Sequence, residues 1–251
     1  KMEILSIINH KGGVGKTTTS VNLSAGLAML GKKVLVIDLD AQTNLSYNFG
    51  LDHLTERTIY HALKGSITSL PIYPVQGKEN LWAVPAHLSL GSIEMEIHQK
   101  KGGEFLLKQL IANCSTTYDY IIIDCPPAIS LLTLNALIAS TGVIIPIEAD
   151  GFALHGILKL GSIIDQIRSS LNPELKILGL LITKYDKRKT LSREVENILH
   201  NNPLYPLLQP SIRTNIALSE ASLNRQDIFS YAPHSAGATD YLELCKNIIH
   251  E

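Results

Sequence analysis

The sequence predicts a doubly wound α/β fold: a mostly parallel sheet with helices on both faces. Apolar runs rich in β-branched residues, at 4–8, 34–38, 120–124, 143–147 and 177–183, are continuous, as strands buried on both faces require. Segments of helical period at 17–30, 131–139, 153–171 and 192–200 fall between strands, so neighbouring strands run parallel through helical crossovers. The first strand also passes through a glycine-rich loop directly into the first helix, which is the connection that anion-binding α/β sheets use.

With 251 residues and 45% hydrophobic content, the chain is sized for one large core, and a single domain over 2–251 is expected. Lys1, ahead of a natural start at Met2, is read as an added residue. Residues 55–103 are less regular, with Pro71, Pro74 and Pro85 interrupting short apolar pieces, so they are expected to make an excursion over the sheet without a second core. The net charge of −1 provides no global basic field, so any nucleic-acid contact must come from a local cluster. Cys114, Cys125 and Cys245 are odd in number and widely spaced, which suits a reducing compartment and neither a disulfide framework nor a zinc site. Residues 3–9 are too short for a signal peptide, and no apolar run approaches the roughly 18 residues of a spanning helix, so a cytoplasmic protein is expected.

The loop reads His10-Lys11-Gly12-Gly13-Val14-Gly15-Lys16-Thr17-Thr18. Glycines let successive N–H groups turn inward toward phosphate oxygens, and the helix N-terminus adds its positive dipole end. Lys16 can then reach the β- and γ-phosphates of ATP, and the Thr17 hydroxyl can ligate Mg²⁺. Glycine is expected where His10 stands in the ordinary pattern, and Lys11 adds a second lysine.

This variant resembles the deviant Walker A box of the ParA and MinD superfamily. The resemblance implies that Gly12 to Thr18 bind nucleotide and that Lys11 reaches across an ATP-bound homodimer to the partner's phosphates, where other enzymes use an arginine finger. A solvated loop lysine is the plainer alternative for Lys11.

Asp38 and Asp40 project from one side at the C-terminal end of the second strand, where open α/β sheets place ligands. Their segment, Asp38-Leu39-Asp40-Ala41-Gln42-Thr43-Asn44, resembles the family's Walker A′ box, with Ala41 in place of a frequent proline. That resemblance makes Asp40 the acid that positions the attacking water, with Asp38 supporting the site and its metal; the alternative for Asp40 is a helix N-cap. Asp124 ends an apolar strand in the Walker B manner, which places it near Mg²⁺. Cys125 belongs to an Asp-Cys-Pro-Pro run that ParA proteins share, which leaves no call for an iron–sulfur cluster.

The likeness to ParA/Soj-type partition ATPases extends to residues 212–221 and a closing helix at 237–249. It implies that Thr183, Asp186 and Asn215 hold the adenine. From Lys184 to Arg193, five cations (Lys184, Lys187, Arg188, Lys189 and Arg193) face Asp186 alone, a cluster suited to non-specific double-stranded DNA. A solvated helix start would look the same. Arg188 falls where relatives carry a DNA-contacting arginine, whereas Ala217 replaces another basic residue, for which Arg213 or Arg225 could compensate. The resemblance further implies a ParB-type partner and association with the nucleoid.

Two alternatives stand beside this one: a MinD-like ATPase that cycles on membranes, and a metabolic ATP-dependent ligase or synthetase. The acids of the closing segment, Asp240, Glu243 and Glu251, oppose an anionic membrane, so no membrane partner is expected.

Overall fold

The computed structural model describes residues 1–150, 153–202 and 204–250. Glu251 lies outside these. In chain order the elements are β1 (Glu3–Ile7), α1 (Lys16–Met29), β2 (Val34–Asp38), α2 (Asn44–Asn48), α3 (Ile59–Lys64), β3 (Tyr73–Pro74), β4 (Leu81–Val84), α4 (Leu90–His98), α5 (Leu106–Ala112), β5 (Tyr120–Asp124), α6 (Leu131–Ala139), β6 (Gly142–Glu148), α7 (Ala153–Ser170), β7 (Lys176–Thr183), α8 (Thr190–His200), α9 (Ile216–Leu223), α10 (Ile228–Tyr231) and α11 (Ala236–His250). The sheet runs β3-β4-β2-β5-β1-β6-β7 and is parallel except for the β3–β4 pair.

Side chains alternate faces along each strand, so every central strand feeds both layers of core. Ile4, Leu35, Ile37, Ile121, Ile123, Val143 and Ile145 face the layer closed by α3 to α8. Leu5, Ile7, Val34, Val36, Ile122 and Ile144 face the layer closed by α1, α10 and α11. The closing helix packs Tyr241, Leu244, Cys245 and Ile248 into that second layer, so its apolar stripe is spent on the core.

The expectation for residues 55–103 needs correction. Leu81–Val84 pairs parallel with Val34–Ile37, and Tyr73–Pro74 adds an antiparallel edge, so this stretch extends the sheet instead of crossing over it. Pro74 is tolerated because it sits on an edge strand. Ile59, Leu63, Leu90, Ile93 and Ile97 from the same stretch join the main core, and it builds no separate one.

Gly26 marks the tightest approach of α1 to α11: a Cβ there would lie 2.5 Å from Cys245 Sγ and 3.1 Å from the Phe229 ring. Alanine gains about 1 kcal/mol of helix propensity, but overpacking a full core costs about 1–3 kcal/mol. Gly26→Ala is therefore expected to lower Tm by a few degrees in a calorimetric scan. A raised Tm would show that α11 yields at no cost.

Candidate functional site

The three central strands deliver the site. β2 and β5 pair with Asp38 opposite Asp124, and β1 places Ile7 opposite Asp124, so two acids and the start of the glycine loop meet at one edge of the sheet. The loop turns through Gly13 (φ 75°) and Gly15 (φ 86°), left-handed positions that only glycine adopts without strain. Helix α1 then opens with no side-chain cap and no acid in its first turn, so its first N–H groups and positive dipole end are left for an anion.

Lys16 is buried, at 7% exposure, and its Nζ donates to the Lys11 carbonyl at 2.9 Å across the loop. Burial pushes its ammonium pKa down, while Asp124 and Asp40 push it back up. Thr17 Oγ1 donates to Asp124 Oδ2 at 2.8 Å, and Ser20 Oγ donates to Asp124 Oδ1 at 2.9 Å. Ser20 was not anticipated, although its place one helical turn beyond Thr17 puts it on the same face of α1. Burial, then the neighbouring Asp38 charge, raise the Asp124 carboxyl, and the two hydroxyls lower it. Three acids around one buried lysine leave this corner short of positive charge. A divalent cation fits there, with the Thr17 hydroxyl and the Asp124 carboxylate as the groups to hold it.

Asp38, expected to support the site and its metal, also holds the backbone around it. The side chain is fully buried; Oδ2 accepts from Ser46 N (2.9 Å) and Ser46 Oγ (2.6 Å), and Oδ1 accepts from Asp40 N (3.1 Å). Through these bonds Asp38 anchors α2 and the Asp40 turn beside the acids of the site. Asp40 itself accepts from Gln42 N through Oδ1 at 2.9 Å, and its other carboxylate oxygen takes no hydrogen bond among the described residues. Thr43, not Asp40, occupies the N-cap position of α2.

Lys11 reaches the surface with half of its side chain exposed and pairs with Asp150 of its own chain, which raises its pKa. Its N–H is held by Asn9 Oδ1 (2.9 Å), while Asn9 Nδ2 donates to Pro146 O (2.7 Å), so a residue outside the motif shapes the loop.

Beside Gly15 and Thr18 lies a cavity of about 320 Å³ walled by Thr183, Lys184, Tyr241 and residues from Ile212 to Ser219 other than Ala217. Thr183 and Asn215 line it, Thr183 with its hydroxyl 2.8 Å from Val14 O, and Asn215 as the N-cap of α9 with Oδ1 accepting from Ala217 N (3.0 Å). Asp186 does not line this cavity. Lys184 turns left-handed (φ 51°) after β7, and Asp186 falls in the neighbouring depression, where Arg188 binds its carboxylate at 2.9 Å and holds its pKa at about 2.

The basic candidates are all exposed, and three of them meet acids. Lys184 pairs with Glu148 (3.3 Å), Arg188 with Asp186 (2.9 Å) and Arg213 with the buried Asp240 (2.7 Å). Lys187, Lys189 and Arg193 meet no carboxylate among the described residues, and they stand at the N-terminus of α8, whose first turn holds no acid. Arg225 pairs with Asp52 (3.0 Å) on another face.

Fold and site together define a P-loop ATPase, with ATP and Mg²⁺ as its cofactors. The AAA domain family matches residues 2–177. The sporulation initiation inhibitor protein Soj of Bacillus subtilis is 38% identical over 247 residues, covering 98% of each chain. The chromosome-partitioning ATPase Soj of Treponema pallidum is 38% identical over 245 residues, covering 98% of this chain and 96% of the relative. Among solved structures, cobyrinic acid a,c-diamide synthase from Mycobacterium smegmatis with bound ADP and magnesium superposes with a TM-score of 0.86 at 30% identity, over 100% of this chain and 95% of that one. The chain belongs to the ParA/Soj family of chromosome-partitioning ATPases. No described helix is long and apolar enough to cross a membrane.

Proposed function

We propose that the protein is a nucleotide-driven partition switch: an ATP-bound homodimer that holds double-stranded DNA without sequence preference and lets go on hydrolysis. In this cycle the loop N–H groups and Lys16 bind the phosphates, Asp40 orients the attacking water, and Lys11 exchanges Asp150 for the phosphates of a second copy. Mg²⁺, held by Thr17 and Asp124, supplies neutralisation of the charge that develops on the transferred phosphoryl group. A ParB-type partner is the proposed stimulator, and the nucleoid the proposed location.

The observation that carries the DNA assignment is the local charge at the start of α8. Five cations between 184 and 193, less the two paired with Glu148 and Asp186, leave Lys187, Lys189 and Arg193 uncompensated in a chain of net charge −1. An uncapped helix N-terminus beside them adds a partial positive charge suited to a backbone phosphate. The likeness to a diamide synthase favours a second reading, phosphoryl transfer to a small molecule, which has no use for this patch.

Gel shifts at saturating ATP and several salt concentrations test the assignment. Binding is expected to require ATP, to ignore sequence, and to fall with salt by roughly 0.9 log unit per log unit for each phosphate neutralised. The double substitution Lys187→Glu with Arg188→Glu is expected to weaken it equally on unrelated duplexes and to flatten the slope, with ATP hydrolysis intact. Unchanged DNA affinity in that variant would reduce the patch to a solvated surface.

A further inference from the structure

The turn after α9 makes contacts that nucleotide binding does not explain. Arg225 there is left-handed (φ 55°), a conformation few non-glycine residues adopt. Its guanidinium lies 4.1 Å from the centroid of the Tyr47 ring and grips Asp52 through two nitrogens, at 3.0 and 3.3 Å. Tyr47 belongs to α2, and Asp52 follows that helix, so one side chain clamps the outer side of the segment that leaves Asp40.

Helix α2 needs such a clamp. It has five residues, opens at a left-handed Thr43 (φ 57°) and has no side-chain cap, so it cannot hold its own direction. Ser46 on Asp38 secures its inner side, and Arg225 secures the outer. Thr43 N–H bonds to Asp40 O at 2.9 Å, so any swing of α2 is passed to the Asp40 turn. The base of the clamp is rigid. Asp227 caps α10 and pairs with Lys78, and Ile228 N donates to Asn22 of α1 at 2.8 Å. At its other end, α9 supplies Ile216, Leu218 and Ser219 to the cavity beside the phosphate loop.

We propose that Arg225 is a positioning residue for hydrolysis: through Tyr47 and Asp52 it fixes α2 and thereby aims Asp40, and it ties that aim to the helix lining the nucleotide cavity. The proposal rests on Asp40 as the water-orienting acid. Arginine suits the task because only its planar fork can stack on a ring and grip a carboxylate through two nitrogens at once.

Single-turnover ATP hydrolysis and ATP affinity, measured on the full chain, test it. Arg225→Gln is expected to slow the chemical step about ten- to a hundredfold, as misplacement of a reacting group does, with ATP affinity within twofold of wild type. Arg225→Lys should recover part of the rate, since it keeps the charge over Tyr47. Combining Arg225→Gln with Tyr47→Leu should cost no more than the larger single change, because both break one clamp. If Arg225→Gln fails to fold, Asp52→Asn carries the same expectation.

A wild-type rate in Arg225→Gln overturns the proposal. So does a loss of affinity that matches the loss of rate, or a loss of DNA binding with hydrolysis unchanged, which would make Arg225 a phosphate contact. Asp40→Ala serves as the control: normal turnover there means that the Asp40 assignment has failed, and the clamp falls with it.

Discussion

Lys16→Ala is expected to abolish measurable ATP binding at ordinary concentrations while leaving the fold intact or steadier. The lysine is buried at the head of α1, with its ammonium bonded to a loop carbonyl 2.9 Å away. Hydrogen bonds to charged groups contribute up to about 3 kcal/mol each, so losing one alone weakens binding roughly a hundredfold. Stability should move the other way. Burial lowers the Lys16 pKa in the folded state, so the charged form is disfavoured by folding, and removing it removes a cost at neutral pH. Lys16→Met, which fills the same space, should raise Tm slightly and bind no ATP, a separation of stability from function expected where a site is strained for its ligand. Calorimetric titration with ATP and a thermal scan of the same sample decide it. Retained affinity would move the phosphate site elsewhere.

The parts of this site that were legible in the sequence are the ones whose geometry is local. A strand, a glycine turn and a helix dictate where Lys16 and Thr17 point. Asp38, Asp40 and Asp124 were placed correctly at strand ends because a carboxylate after an apolar run falls at the sheet edge. Contacts outside the motifs were not legible. Ser46 lies eight residues from Asp38 yet consumes one of its oxygens, and that pairing depends on the left-handed Thr43, which no composition signals. Asp186 missed the cavity because Lys184 turns left-handed and throws the following residues outward. Charge counting found the basic cluster but could not see that Glu148 reaches Lys184 or that Asp240 holds Arg213. Strand β4 stayed hidden because four residues between prolines become a strand only when β2 lies beside them.

Asp40→Ala is expected to bind ATP within a few-fold of wild type and to hydrolyse it at least about a hundredfold more slowly, the lower end of what a positioned acid or base contributes. Affinity should survive because the proposed phosphate cradle, the loop N–H groups and Lys16, makes no bond to the Asp40 side chain among the described residues. Rate should be lost because the Asp40 oxygen that takes no hydrogen bond among the described residues is the group proposed to orient water. Alanine also removes the bond from Gln42 N at 2.9 Å, so a dead variant alone could reflect a loosened turn. Asp40→Asn separates the two effects: its side-chain oxygen can still accept from Gln42, but its amide cannot act as a base. Both variants should be slow to the same degree if the carboxylate itself is needed. A fast Asn variant beside a slow Ala variant would show that the turn, and not the charge, sets the rate. Normal turnover in both would assign the water to another group, with the buried Asp124 the next acid to test.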